Sequence, residues 1–281
     1  MFLSYYEILH AISFPVRLEG ELKRKITRTH GNQSSKNSRK KEERKKIITD
    51  RSQWIVNDID MTLEIERSLR DRFPGLQVIL EYVDGVRVNE SGAELQEFKK
   101  GICGEVKRKY SLESLKDVSI FRSYRDFFWK VGIDPTKIRP AAEALVRRIL
   151  ADKPIPMINN VVDSYNLASI KTEVALAAFN RDELKGGLLM RTAESGERFN
   201  GIGMNEPMDL DGGEVVISDA EKLVAIYPYR DADRSKVSAT TKNLLILVCG
   251  VPGIHEKTLN DAGKVALQLV TKFCGGEGRF E

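Results

Sequence analysis

Residues 244–251, Leu-Leu-Ile-Leu-Val-Cys-Gly-Val, form an unbroken apolar run eight residues long. A run of this length with β-branched content reads as a strand buried on both faces. Such a strand needs partners on both edges and cover above and below, so a single layer cannot accommodate it. Four more strand candidates precede it in the second half: Val174–Phe179, Gly187–Ala193, Val215–Asp219 and Leu223–Tyr227. The first half reads differently. Residues 91–110, 111–132 and 134–154 carry helical apolar spacing, with Ser91 and Ser111 in N-cap positions and Pro140 at a first-turn position. Residues 159–173 read as a short helix, residues 76–88 as a strand and its connection, and residues 256–273 as a final amphipathic helix. The segment that opens at Met61 also has a helix-like pattern. Helices early and strands late give an α+β class, a mostly helical N-terminal half packed on a mixed or antiparallel sheet core.

The leader is a separate matter. The chain has a formal net charge of +4, yet residues 1–60 hold 13 Lys/Arg against 8 Asp/Glu. The remaining residues therefore sit near neutrality, so affinity for nucleic acid from bulk charge rests on the leader alone. Residues 20–51 are polar and lack helical periodicity, as expected of a disordered basic leader. It is either a tail for RNA phosphates or a stretch upstream of a true start at Met61. Residues 61–281 are read as a single domain. Three widely spaced cysteines give neither a disulfide framework nor a zinc motif, and no run is long enough to span a membrane. A cytoplasmic protein with no cofactor and no metal is expected.

Two familiar signatures fail. Gly201-x-Gly203 has no third glycine and no following helix, and Gly253 and Lys257 have the wrong spacing for a phosphate loop. Three stretches hold the informative polar residues. Pro154–Glu173 carries Asn159, Asn160, Asp163 and Asn166, where Asn and Asp also serve as plain helix caps. Leu188–Gly203 carries Arg191 and Glu197 around a turn at Gly196, an arrangement equally suited to a hairpin ion pair. Tyr229–Asn243 packs Arg230, Asp231, Asp233, Arg234, Lys236 and Thr240 between two apolar strands. That last segment reads either as the mouth of a pocket floored by sheet or as a solvated loop with local ion pairs.

Five motifs occur in order: Pro-x-x-Asn-Asn-Val-Val-Asp from Pro156, Phe-Asn at 179–180, Arg-x-Ala-x-x-Gly-Glu from Arg191, Val-Ile-x-Asp from Val216, and Asp-x-Ser-x-Val-Ser-x-x-Thr-x-Asn from Asp233. Together they resemble the B3/B4 editing domain of the phenylalanyl-tRNA synthetase beta subunit, and more closely still the free-standing B3/4-domain proteins. The resemblance covers Phe121 to Gly253 well. It implies hydrolysis of the ester of a misacylated tRNA in trans, with tRNA or aminoacyl-tRNA and an amino acid moiety as partners and no DNA. It implies Asn160, Asp163, Asn166, Arg191, Glu197 and Thr240 beside the pocket, with Asp233 where the synthetase has a glutamate that recognises the misattached residue. Ala177 stands where the synthetase pattern has histidine. Without that histidine a carboxylate is the expected base, Asp231 or Asp233, with Arg230, Arg234 or Arg191 for phosphate or oxyanion. Two other classes remain open: a non-catalytic tRNA- or RNA-binding module, and an amino-acid-binding protein.

Overall fold

The computed structural model describes residues 61–280. The leader expected over residues 1–60 lies outside them. In chain order the elements are β1 (Leu63–Ile65), α1 (Arg67–Arg72), β2 (Gln77–Asp84), α2 (Ala93–Lys109), α3 (Ser119–Lys130), α4 (Ala141–Leu150) and α5 (Asn160–Thr172). There follow β3 (Leu176–Asn180), β4 (Leu188–Thr192), β5 (Arg198–Phe199), β6 (Met208–Asp209), β7 (Val215–Ser218), β8 (Leu223–Ile226), β9 (Arg230–Asp231), β10 (Asn243–Gly250), α6 (Glu256–Cys274) and β11 (Glu277–Phe280). The class is α+β, with helices concentrated before β3 and strands after it.

The apolar run at 244–251 becomes β10, one of two inner strands of a four-stranded antiparallel sheet ordered β11-β2-β10-β3. It pairs with β2 from Asn243↔Asp84 to Gly250↔Gln77, and with β3 from Leu244↔Asn180 to Val248↔Leu176. Side chains alternate across it. Gly250 faces α6, where a Cβ would stand 2.4 Å from Leu259 Cδ1. Leu247 and Cys249 face the other way, toward the second sheet. That sheet has five strands ordered β1-β4-β7-β8-β9, and only its β1–β4 pair is parallel. A small hairpin, β5–β6, packs Phe199 and Leu210 against Val216 and Ile226 of the second sheet in a separate apolar cluster.

Helix α5 is buried from Asn160 to Ile170, although it carries Asn160, Asp163, Ser164, Asn166 and Ser169. Buried polar side chains need partners, and this helix finds several in neighbouring backbone. Asn159 caps it, its Oδ1 accepting from the Val162 amide at 2.9 Å. Asn160 accepts from the amides of Asn89 (2.8 Å) and Val161 (3.1 Å) and donates to the carbonyls of Arg87 (2.9 Å) and Phe273 (3.2 Å). Asp163 accepts from Ser91 Oγ at 2.6 Å and from the Ile158 amide at 3.1 Å.

Three local expectations change. Ser91 does not cap α2, whose N-cap is Gly92, because its hydroxyl is taken by Asp163. Ser111 caps a short turn, accepting from the Ser114 amide at 3.1 Å, and α3 starts eight residues later. The pattern at Met61 resolves into β1 followed by α1, because Leu63–Ile65 finds an open edge on β4. Truncating Asn160 leaves two buried amides and two carbonyls short of a partner. Asn160→Ala is therefore expected to lower the free energy of unfolding by about 2–3 kcal/mol, read as a shift in the denaturant midpoint with unchanged slope.

Candidate functional site

A hollow opens between the two sheets, where β3 and β10 face β8 and β9. Its cavity volume is about 20 Å³, room for about one water, and it opens to solvent. One wall is Ala175, Ala177, Leu247 and Cys249, and the other is Ala225, Tyr227, Tyr229 and Asp231. Ala141, the first residue of α4, contributes to the lining as well. Here four alanines meet where larger side chains would have filled the gap between sheets. The wall is fixed by hydrogen bonds at its base. The Tyr124 hydroxyl donates to the Cys249 carbonyl and accepts from the Ala175 amide at 2.9 Å, tying β10 to the start of β3. Tyr227 donates to the Gly250 carbonyl at 2.7 Å.

Asp231 is positioned by strand alternation. β9 pairs Asp231 with Ala225 and Arg230 with Ile226, so neighbouring side chains leave on opposite faces. Arg230 leaves along Gly201, where a Cβ would meet its Cδ at 2.5 Å, and stacks on Tyr229 at 5.1 Å. Asp231 turns into the hollow. Among the described residues its carboxylate has no hydrogen-bond or ion-pair partner. Burial with no opposing cation pushes it up to about 7. The thiol of Cys249, in the opposite wall, is driven well above its usual range by burial and by the Asp231 charge, so it is no thiolate nucleophile. Tyr227 is likewise held protonated by burial. Asp231 is thus the group of the wall that exchanges a proton near neutral pH.

The other expected site residues lie elsewhere. Asn160 and Asp163 spend their polar atoms on the α5 anchor, and Asn166 is buried on the same helix. Arg191 and Glu197 form a bidentate pair at 2.8 and 2.6 Å, and Glu197 also accepts from the Glu194 amide at 2.6 Å, so the pair closes the turn at Gly196. The guanidinium holds the Glu197 carboxyl below its usual range. Arg234 pairs with Asp219 and donates to the Glu183 carbonyl at 2.9 Å. Asp233 pairs with Lys236 at 2.7 Å, and Thr240 is exposed beside Ser238. Of the expected residues, Asp231 is the one in the hollow's lining. The charge-dense segment mostly satisfies itself in local pairs, with one member turned inward.

Tyr227, Tyr229, Cys249 and the alanines other than Ala177 carry no sequence signal that singles them out. Tyr-Pro-Tyr at 227–229 reads as the end of a strand and a turn. An alanine wall is visible only when the strands that carry it are set face to face. Among the described residues no group of three His, Cys, Asp or Glu side chains is placed to hold a metal, and no helix is long and apolar enough to cross a membrane.

Residues 123–275, which contain every wall of this hollow, match the family model of the B3/4 domain. The chain belongs to the B3/4 domain family. Its curated relatives include the phenylalanine–tRNA ligase beta subunit of Fusobacterium nucleatum, 30% identical over 132 residues, which are 47% of this chain and 16% of the relative. The corresponding subunit of Geobacter metallireducens is 36% identical over 110 residues, 39% of this chain and 14% of the relative. The B3/4 chain thus spans less than a fifth of the length of these relatives. An N-terminal fragment of the phenylalanyl-tRNA synthetase beta subunit from Pyrococcus horikoshii is 15% identical with a TM-score of 0.43, over 81% of this chain and 52% of that one.

Asp231 is protonated more readily folded than unfolded. Its burden on the fold is absent below about pH 4, where both states are neutral, and grows as the pH rises toward 7. Asp231→Asn removes that dependence. The stability difference between Asp231→Asn and the native chain should therefore move in the variant's favour from pH 4 to pH 7 and level off above, in urea titrations across that range.

Proposed function

We propose that this B3/4 chain hydrolyses the ester of a misacylated tRNA in trans, without metal or covalent intermediate. The observation that carries the reading is Asp231, an unpartnered carboxylate that titrates near neutrality in the wall of an apolar hollow. Family membership adds the tRNA context, since the curated relatives are tRNA ligase subunits. An aminoacyl ester is already activated, so the site has only to hold the acyl group and aim a water at its carbonyl carbon. Asp231 takes a proton from that water as its oxygen bonds to the carbon. The tetrahedral intermediate collapses, the ester C–O bond breaks, and Asp231 returns the proton to the departing ribose oxygen. The products are free amino acid and intact tRNA. A base with a pKa near the working pH suits both transfers.

Ala177 supports a carboxylate base over an imidazole one, since the position that is histidine in the synthetase pattern here only makes room. Asp233, salt-bridged outside the lining, has recognition as its proposed role, with Arg191 and Glu197 bracing the turn beyond β4 and Arg230 stacked on Tyr229 from the other face of β9. A second reading follows from the same carboxylate. Asp231 also suits an α-ammonium, and a chain that binds a free amino acid without hydrolysis would keep the hollow for that purpose. A purely RNA-binding role has less support, because residues 61–281 lack the excess of cations that phosphate affinity requires.

The full chain, mixed with a panel of mischarged tRNAs, is expected to deacylate at least one above the buffer rate. Asp231→Asn should lower that rate about a hundredfold or more with the melting transition retained. The native rate should rise with pH through about 7 and then level, because the base acts unprotonated. Survival of every aminoacyl-tRNA at the buffer rate removes the hydrolase reading, and stabilisation by a free amino acid would then select the binder.

A further inference from the structure

The enclosed part of the hollow has a definite size and polarity. A volume of about 20 Å³ takes one water or one methyl group. Register fixes what borders it. Ala177 stands opposite Leu247 on paired strands, and the Cys249 amide donates to the Ala175 carbonyl at 3.0 Å, so these four residues share one wall. Ala225 is the strand partner of Asp231 in the other wall, and Ala141 adds the start of α4.

Water and methyl are told apart by the partners on offer. A buried water makes about three hydrogen bonds, and an apolar cavity stays dry. The Tyr227 hydroxyl is given to the Gly250 carbonyl at 2.7 Å, and the Tyr229 oxygen accepts from Arg230 at 3.1 Å. The Cys249 thiol, a weak donor, is turned to the Leu247 carbonyl at 3.8 Å. Among the described residues Asp231 is the one lining side chain with an uncommitted charge. A single carboxylate at the border of four alanines and a leucine offers a water too few partners. The same border suits a methyl, whose burial gives up no hydrogen bond.

The length of the guest follows. With a methyl seated inside, the ester carbonyl carbon is two bonds away, toward the mouth, where Asp231 can present a water to it. A γ carbon adds a bond that the walls do not admit, and the carbonyl is then backed away from the carboxylate. A glycyl ester leaves the space unfilled.

We propose that the hollow is a seat for the alanyl side chain, so that esters of alanine are the substrate class, and that Ala177 sets the limit on side-chain length. The inference rests on the hydrolase reading above and adds the acyl group to it. Ala177 is a specificity-determining residue, since it stands in the wall opposite Asp231 and takes no part in proton transfer.

Glycyl, alanyl, 2-aminobutyryl, valyl, phenylalanyl and tyrosyl esters of one tRNA are offered to the full chain, and each rate is divided by that ester's rate in buffer. Alanyl should exceed glycyl about fourfold, the gain of one buried carbon. It should exceed 2-aminobutyryl and every longer side chain about tenfold or more. Ala177→Gly frees the room of one methyl and should raise the ratio of 2-aminobutyryl to alanyl cleavage about tenfold. If that variant loses its melting transition, Cys249→Ala opens the same wall in its place. Phenylalanyl or tyrosyl esters cleaved as fast as alanyl, or a ratio that the enlarged wall does not move, overturn the seat and leave the hydrolase reading standing. If no ester is cleaved above the buffer rate, that reading falls instead, and calorimetry with glycinamide, alaninamide and phenylalaninamide decides the seat. Alaninamide bound tightest, and loosened by Ala177→Val, sustains it. Any other order, or no binding, overturns it.

Discussion

Strand β10 is paired along both edges, with β2 through eight residues and with β3 through five, and is covered on both faces. Every part of the candidate site refers back to that pairing. Register fixes which residues of β3 stand opposite which of β10, and so places Ala177 against Leu247 in the wall. A shift of one residue would exchange the faces, turning Cys249 toward α6 and Gly250 toward the hollow. The Tyr124 hydroxyl reinforces the register at the end where the ladder stops, bonded to the backbone of both strands. Charge and chemistry are added at the other wall, on short strands held against this frame.

Two buried carboxylates show opposite solutions to the cost of desolvation. Glu143 keeps two guanidiniums within bonding distance. Glu81, on the α6 side of β2, has one oxygen without a partner, and burial pushes it up to about 7 despite Lys264 nearby. A glycine at 263 makes room for it, since a Cβ there would lie 2.3 Å from its Oε1. Asp231 resembles Glu81 in having no partner but differs in facing a space that a ligand can enter.

The fold is largely legible in the sequence, whereas which of the expected polar residues would line the hollow is not. Strands with long apolar runs declared themselves, because burial on both faces leaves no alternation to misread, and β3, β4, β7, β8 and β10 fall where the runs do. The errors were local and arose where a tertiary partner outbid a near neighbour, as Asp163 took the Ser91 hydroxyl from α2. For the site, the segment 229–243 was rightly marked as charge-dense, yet density gave no direction. Whether a carboxylate meets a cation or a cavity depends on strand alternation two residues away. Asp233 and Arg234 found Lys236 and Asp219, while Asp231 found neither. The motifs around Asn160 and Asp163 are as distinctive as those around Asp231, but their polar atoms are consumed in holding a buried helix.

The alanines at 175, 177, 141 and 225 have a consequence for how such a domain changes its preferences. Ala177 and Ala225 sit on paired strands, Ala175 just before β3 and Ala141 at the start of α4, so the space between them is set by the backbone frame. Discrimination between guests then scales with single carbon atoms, at about 1–3 kcal/mol for each methylene gained or lost. Exchanging Ala175 or Ala177 for valine or serine alters that space from the wall opposite Asp231. Ala225 is different, being the strand partner of Asp231, so its side chain and the carboxylate share one wall.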